Sequence, residues 1–165
     1  MKSSKGGRLK SVPILMSLLL GACGFHLQGR QPLPAEFANT YIDTGDEKTD
    51  FVQDLRKALL ASGVKVIPTA GSAGATIKVL EDELTERILS VSARNIPAEY
   101  ELTYRVKFSV ASNGDTLIED EEVTATRDFS FNEAQLLAKE REQEILREAL
   151  ARDLVALVMR RISAL

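Results

Sequence analysis

The residue types that do chemistry are scarce in this chain of 165 residues, which has one cysteine, Cys23, and one histidine, His26. A single thiol permits no intramolecular disulfide and supplies too few ligands for a cysteine-based zinc site. A Ser-His-Asp arrangement would rest on His26, which stands three positions from Cys23, and a residue so near an anchored end is not held rigidly. Glu119 to Glu122 could form a carboxylate pair or a divalent-metal site, but they fall in a strand pattern and read as its solvated face. No Gly-rich phosphate loop, metal-ligand spacing or nucleophile elbow is present, so catalysis is the weaker expectation.

Six cations interrupt an otherwise acidic background: Arg87, Arg94, Arg105, Lys107, Arg127 and Lys139. If Arg94 lies in the hairpin before Tyr100 and Lys139 leaves the first turns of the last helix, both lie near one end of the sheet. Paired cations there would suit phosphate groups. The other reading is that all six are surface charges paired with nearby Glu.

The N-terminus reads as an address. Lys2, Lys5, Arg8 and Lys10 precede the apolar run Val12 to Leu20, and small Gly21 and Ala22 follow, which is the order of a secretory signal. The run is about half the ~20 residues a membrane-spanning helix needs. Leu20, Gly21, Ala22 and Cys23 match the lipobox of bacterial lipoproteins, in which the thiol takes a diacylglycerol before cleavage leaves it at the new N-terminus. Three acyl chains exceed what stable anchoring requires. Gly24 stands where an Asp would resemble an inner-membrane retention signal, so the resemblance implies the outer membrane.

The remaining chain has the elements to position such residues. Phe25 to Arg30 could start a strand, broken by Pro32 and Pro34, and Asn39 to Thr44 reads as a short strand. Phe51, Val52, Leu55, Ala58 and Leu59 recur at helical spacing, with Thr49 or Asp50 as cap and Gly63 as stop, so a helix is expected over 48–62. Val64 to Ile67 is a short extended piece, and 68–74 a loop. Ala75 to Val91 suggests one long or interrupted strand with a charged middle. Tyr100, Leu102, Tyr104, Val106, Phe108 and Val110 then alternate with polar residues, which gives one buried and one wet face. Asn113–Gly114 is a tight-turn dipeptide, and Leu117 to Phe129 the antiparallel partner. Leu146, Leu150, Leu154, Val158 and Ile162 mark an amphipathic helix over 133–163. These elements predict an α+β, two-layer sandwich, with two helices on one face of a four-stranded, mostly antiparallel sheet in the order β-α-β-β-β-α. The expected organisation is a signal peptide at 1–22, a lipidated tether at 23–36 and one domain at 37–165.

Removing the signal takes away four cations and leaves 17 Lys and Arg against 24 Asp and Glu, a net charge near −7. A nucleic-acid partner is not expected at that charge, and an anionic ligand must be met by a local basic cluster.

Three stretches carry a family likeness: Cys23–Leu27, Arg94–Asn95 with Ala98–Tyr100, and Leu137–Glu140. In their order and spacing the chain resembles the lipopolysaccharide-assembly lipoproteins of Gram-negative outer membranes. The resemblance implies two helices on a four-stranded sheet, seated as a plug in the lumen of the β-barrel that inserts lipopolysaccharide into the outer leaflet. It implies no enzymatic activity, no cofactor beyond the acyl and diacylglycerol groups on Cys23, and a role in barrel assembly with contact to lipopolysaccharide. Arg94 and Lys139 match positions that would meet its phosphorylated lipid A and core. Some members carry a polar tail after the last helix, where this sequence ends at Leu165. A scaffold of another envelope machine and a small lipid-anchored hydrolase are the competing expectations.

Overall fold

The computed structural model describes residues 33–130 and 136–165, with the backbone alone for 136–139. The expected strand at Phe25–Arg30 and the expected helix start at 133 lie outside the described residues. The elements are β1 (Asn39–Asp43), α1 (Asp50–Ala61), β2 (Lys65–Ile67), β3 (Ala75–Val91), β4 (Pro97–Ser112), β5 (Asp115–Ser130) and α2 (Leu136–Ser163), with 3-10 turns at Ala35–Ala38 and Ala70–Ser72.

Local chemistry accounts for most boundaries. The Thr49 hydroxyl accepts from the Val52 N–H at 3.3 Å and caps α1, whose Phe51, Val52, Leu55 and Leu59 are buried. At the other end the Ser62 N–H donates to the Ala58 carbonyl at 3.0 Å. Asn113 and Gly114 take φ of 52° and 93°, the left-handed pair that lets β4 return directly as β5. In β4 the even-numbered residues from Tyr100 to Ser112 are buried and the odd ones half-exposed, as its alternation predicts.

The sheet order is β2-β1-β3-β4-β5, with β1 parallel to both neighbours and β3–β4 and β4–β5 antiparallel. The expectation of four strands, mostly antiparallel, is therefore corrected to a mixed sheet of five. Val64–Ile67 supplies the missing strand. Three residues cannot display a period of two, and pairing with β1 makes them a strand. The parallel β1–β2 pair follows from α1, which carries the chain back to the end of the sheet where β1 began.

One hydrophobic core holds the layers together, with Phe51 and Leu55 from α1, Leu154 and Ile162 from α2, and Phe108 and Val106 from β4 fully buried. The two helices also pack against each other. The strands are unequal in length, and β1 last meets β3 at Asp43 opposite Lys78. Beyond that point the sheet continues as three strands, β3, β4 and β5, here termed the outer half. No helix among the described residues is long and apolar enough to cross a membrane.

Phe108→Ala should cost about 3–5 kcal/mol in denaturant unfolding, because it opens a cavity at a fully buried position. Leu60→Ala, on the exposed side of α1, should change stability by less than about 0.5 kcal/mol.

Candidate functional site

The outer half ends in the loop Ser92–Ile96, which joins β3 to β4. The Ser92 N–H donates to the Ile96 carbonyl at 2.7 Å, and the Asn95 N–H to the Ser92 carbonyl at 2.9 Å. Asn95 takes φ of 60°, a conformation Asn tolerates better than most residues. Arg94 is exposed in this loop. The backbone of Lys139 belongs to the first turns of α2, and its side chain lies outside the described residues. Further along α2, Gln143 hydrogen-bonds Glu86 of β3, so these turns run over the part of β3 that leads into the Arg94 loop. The backbone positions of Arg94 and Lys139 therefore belong to the same end of the sheet, as the sequence suggested.

An open groove of about 390 Å³ lies between α2 and β3, lined by apolar Leu84 and Leu102 and by Glu86, Glu140, Glu144 and Arg147 among others. Its one cation is engaged, since the Arg147 Nε approaches Asp50 Oδ2 at 2.7 Å.

Arg87, Arg105, Lys107 and Arg127, among the cations singled out in the sequence, meet carboxylates. Arg87 contacts Glu101 at 2.9 Å, Lys107 contacts Asp120 at 3.4 Å, Arg127 contacts Asp153 at 2.6 Å, and Arg105 pairs with Glu83. Arg87, Arg105 and Lys107 lie on the sheet face away from the helices. Their rungs run beside the Thr85, Thr103 and Thr126 row in a continuous polar ladder. Exposed pairs of this kind contribute about 0–1 kcal/mol each, so the ladder sets the character of the face more than its stability.

Glu119 to Glu122 converge on no common centre. Glu121 pairs with Arg161 at 2.8 Å and Asp120 with Lys107, while Glu119 and Glu122 are exposed. Among the described residues no group of three or more His, Cys, Asp or Glu is placed to hold a metal ion. Cys23 and His26 lie outside the described residues.

The polar cluster that sequence reasoning missed is the joint between α1 and the outer half. Tyr104 donates to Asp82 Oδ1 at 2.7 Å and accepts from the Phe51 N–H at 3.4 Å, while Thr49 donates to Asp82 Oδ2 at 2.5 Å. Asp82 thus binds both the cap of α1 and a buried tyrosine of β4. Burial, and then the hydrogen bond to Asp82, push the Tyr104 hydroxyl well above its usual pKa. The only sequence signal was Thr49 as a cap. Tyr104 was legible as an apolar member of an alternating strand, with nothing to mark its partner.

A family model described as LptE, lipopolysaccharide-assembly, matches residues 36–162. The chain is 28% identical over 149 residues to the LPS-assembly lipoprotein LptE of Pectobacterium atrosepticum, covering 90% of this chain and 80% of that one. It also resembles the solution structure of lipoprotein B from Nitrosomonas europaea, at TM-score 0.71 and 31% identity over 86% of this chain and 91% of that one. The crystal structure of the rare lipoprotein B from Shewanella oneidensis matches at TM-score 0.67 and 25% identity, over 76% and 94% of the two chains.

The Tyr104 joint makes the frame of the site sensitive to alkali. A hydroxyl whose folded pKa is raised above its ordinary 10.0 contributes stability that is present below that value and is lost as pH rises through and beyond it. Melting temperatures of wild type and Tyr104→Phe, followed from about pH 8 to about pH 11, should therefore converge at the alkaline end. Near neutrality Tyr104→Phe should be less stable by about 1–3 kcal/mol, because it strips a donor from partly buried Asp82.

Proposed function

Because this chain belongs to the LptE lipopolysaccharide-assembly family, matching its model over residues 36–162, we propose that it is an outer-membrane lipoprotein that plugs the lipopolysaccharide translocon β-barrel and helps it assemble. It contacts lipopolysaccharide during insertion into the outer leaflet and performs no catalysis. The signal at 1–22 is removed, Cys23 carries the acyl and diacylglycerol groups, and 23–36 tethers the domain at 37–165 to the membrane.

The observation that carries the substrate contact is the placement of Arg94, exposed in the loop at the end of the outer half towards which the first turns of α2 run. The mature chain is net acidic, so its overall field repels a phosphorylated lipid and recognition has to be local. Arg94 offers a planar fork of donors that matches a phosphate, and Lys139 a second point charge from the opening of α2. The polar ladder on the open sheet face supports the plug reading, since the lumen of a large outer-membrane barrel is polar and wet.

Mild detergent extraction should co-purify the chain with a large β-barrel, identified by mass; recovery as a free monomer alone would overturn the plug. Arg94→Asp combined with Lys139→Asp should weaken lipopolysaccharide binding about tenfold or more with an unchanged melting temperature, as expected for losing charge-assisted hydrogen bonds. Equal affinity would remove both residues from the assignment. Cys23→Ala should release the chain from the membrane fraction and abolish the acyl mass.

A further inference from the structure

The sheet face of the outer half that points away from the helices holds more negative charge than its own cations match. On it the odd-numbered residues of β4 stand between partners from β3 and β5, in the rungs Glu81–Lys107–Glu122, Glu83–Arg105–Thr124, Thr85–Thr103–Thr126 and Arg87–Glu101–Asp128. With Glu99 further out on β4, six carboxylates share the face with three cations. Those cations are committed: Arg87 to Glu101, Arg105 to Glu83, and Lys107 to Asp120 beside the bulge of β5. Glu81, Glu122 and Asp128 are exposed and meet no cation at ion-pair distance among the described residues. Arg105, bound first to Glu83, feels Glu122 and Glu81 only through space. Asp128 also stands directly opposite Glu101, a cross-strand pair of like charges that destabilises a sheet left on its own. The outward side of the helix layer differs, since Lys57 pairs with Asp54 and Arg152 with Glu148.

We infer that this open face is the one that docks on the partner polypeptide, against a surface that sets Lys or Arg side chains opposite Glu81, Glu122 and Asp128. A phosphorylated lipid is the wrong occupant, because unmatched carboxylates repel phosphate and the four rungs offer hydrocarbon no apolar side chain. A second copy of this chain brings the same surplus and is repelled in the same way. A metal ion does not fit either. Glu81 and Glu122 lie two strand spacings apart, about 10 Å, and Asp128 is about 20 Å further along β5 at ~3.3 Å per residue. No group of three or more His, Cys, Asp or Glu among the described residues converges on one centre. Charges so spread are matched by several side chains of a folded wall, and such contacts set the orientation of a wet, polar interface. For the identity of the partner this rests on the proposed barrel association; for the face and its chemistry it does not.

The test compares two variants of the full chain for recovery of the barrel complex after mild detergent extraction. Glu81→Gln with Glu122→Gln and Asp128→Asn should lower recovery about tenfold, and the complex that remains should be less sensitive to salt, because the charge that salt screens is gone. The melting temperature of the free chain should be unchanged or higher, since a like-charge pair is relieved. Glu36→Gln with Glu47→Gln and Glu148→Gln removes the same charge away from this face and should leave recovery at the wild-type level. Equal recovery of the two variants would overturn the inference. A photoreactive residue at Thr103 or Thr126, used in the native envelope, should give adducts to a polypeptide; adducts to lipid or to a second copy of the chain, or no adduct, would overturn it as well. Adducts to a polypeptide that is not a barrel keep the docking face and remove the barrel reading. A barrel complex recovered equally with both variants does the reverse.

Discussion

Strand β4 presents an apolar side chain at every second position from Tyr100 to Val110, and covering that face is the constraint from which the rest of the architecture follows. Antiparallel partners on both sides satisfy its backbone, and two amphipathic helices cover the apolar face in a second layer. Neither helix could do so alone. Helix α1 touches the outer half at its capped end, through Thr49 and Phe51, and the fully buried residues described in α2, from Leu150 to Ile162, lie in its C-terminal half. Where the two helices meet, the core is dense and holds Phe51, Leu55, Phe108 and Leu154.

Unequal strand lengths turn this sandwich into a body with two unlike ends. At one end lie five strands, both helices and most of the core. At the other, β3, β4 and β5 run on as a three-stranded ribbon under the opening turns of α2. The Asp82 joint ties the cap of α1 to β3 and β4 close to where this change begins. The ribbon can then extend without loosening the helix layer. Such a projection presents surface away from the part that holds the fold.

The charge distribution supports the same division. The sheet face away from the helices is a ladder of matched ions and threonines, suited to water. In the outer half, the apolar exposure of the described residues is gathered on β3 and at Ile145 of α2, and Arg94 stands exposed in the loop of the same end. With a net charge of −3 the overall field favours no anion, so any anionic contact has to be local.

What the sequence determined by itself was whatever neighbouring residues decide among themselves. The period of two in β4, the Asn113–Gly114 turn, the Thr49 cap and the helical stripes of α1 and α2 all appear where local spacing placed them. The placement of Arg94 in a loop between two strands was legible for the same reason. The tertiary structure alone decided the rest. Lys65–Ile67 is a strand only because β1 lies alongside it, and the mixed sheet exists because a helix separates β1 from β2. The sorting of cations into ladder rungs and helix contacts needed pairs such as Arg127 with Asp153, and the Asp82 joint needed Thr49, Tyr104 and Phe51 brought together. Those contacts join residues far apart in the chain, and no local period records which distant partner will close them.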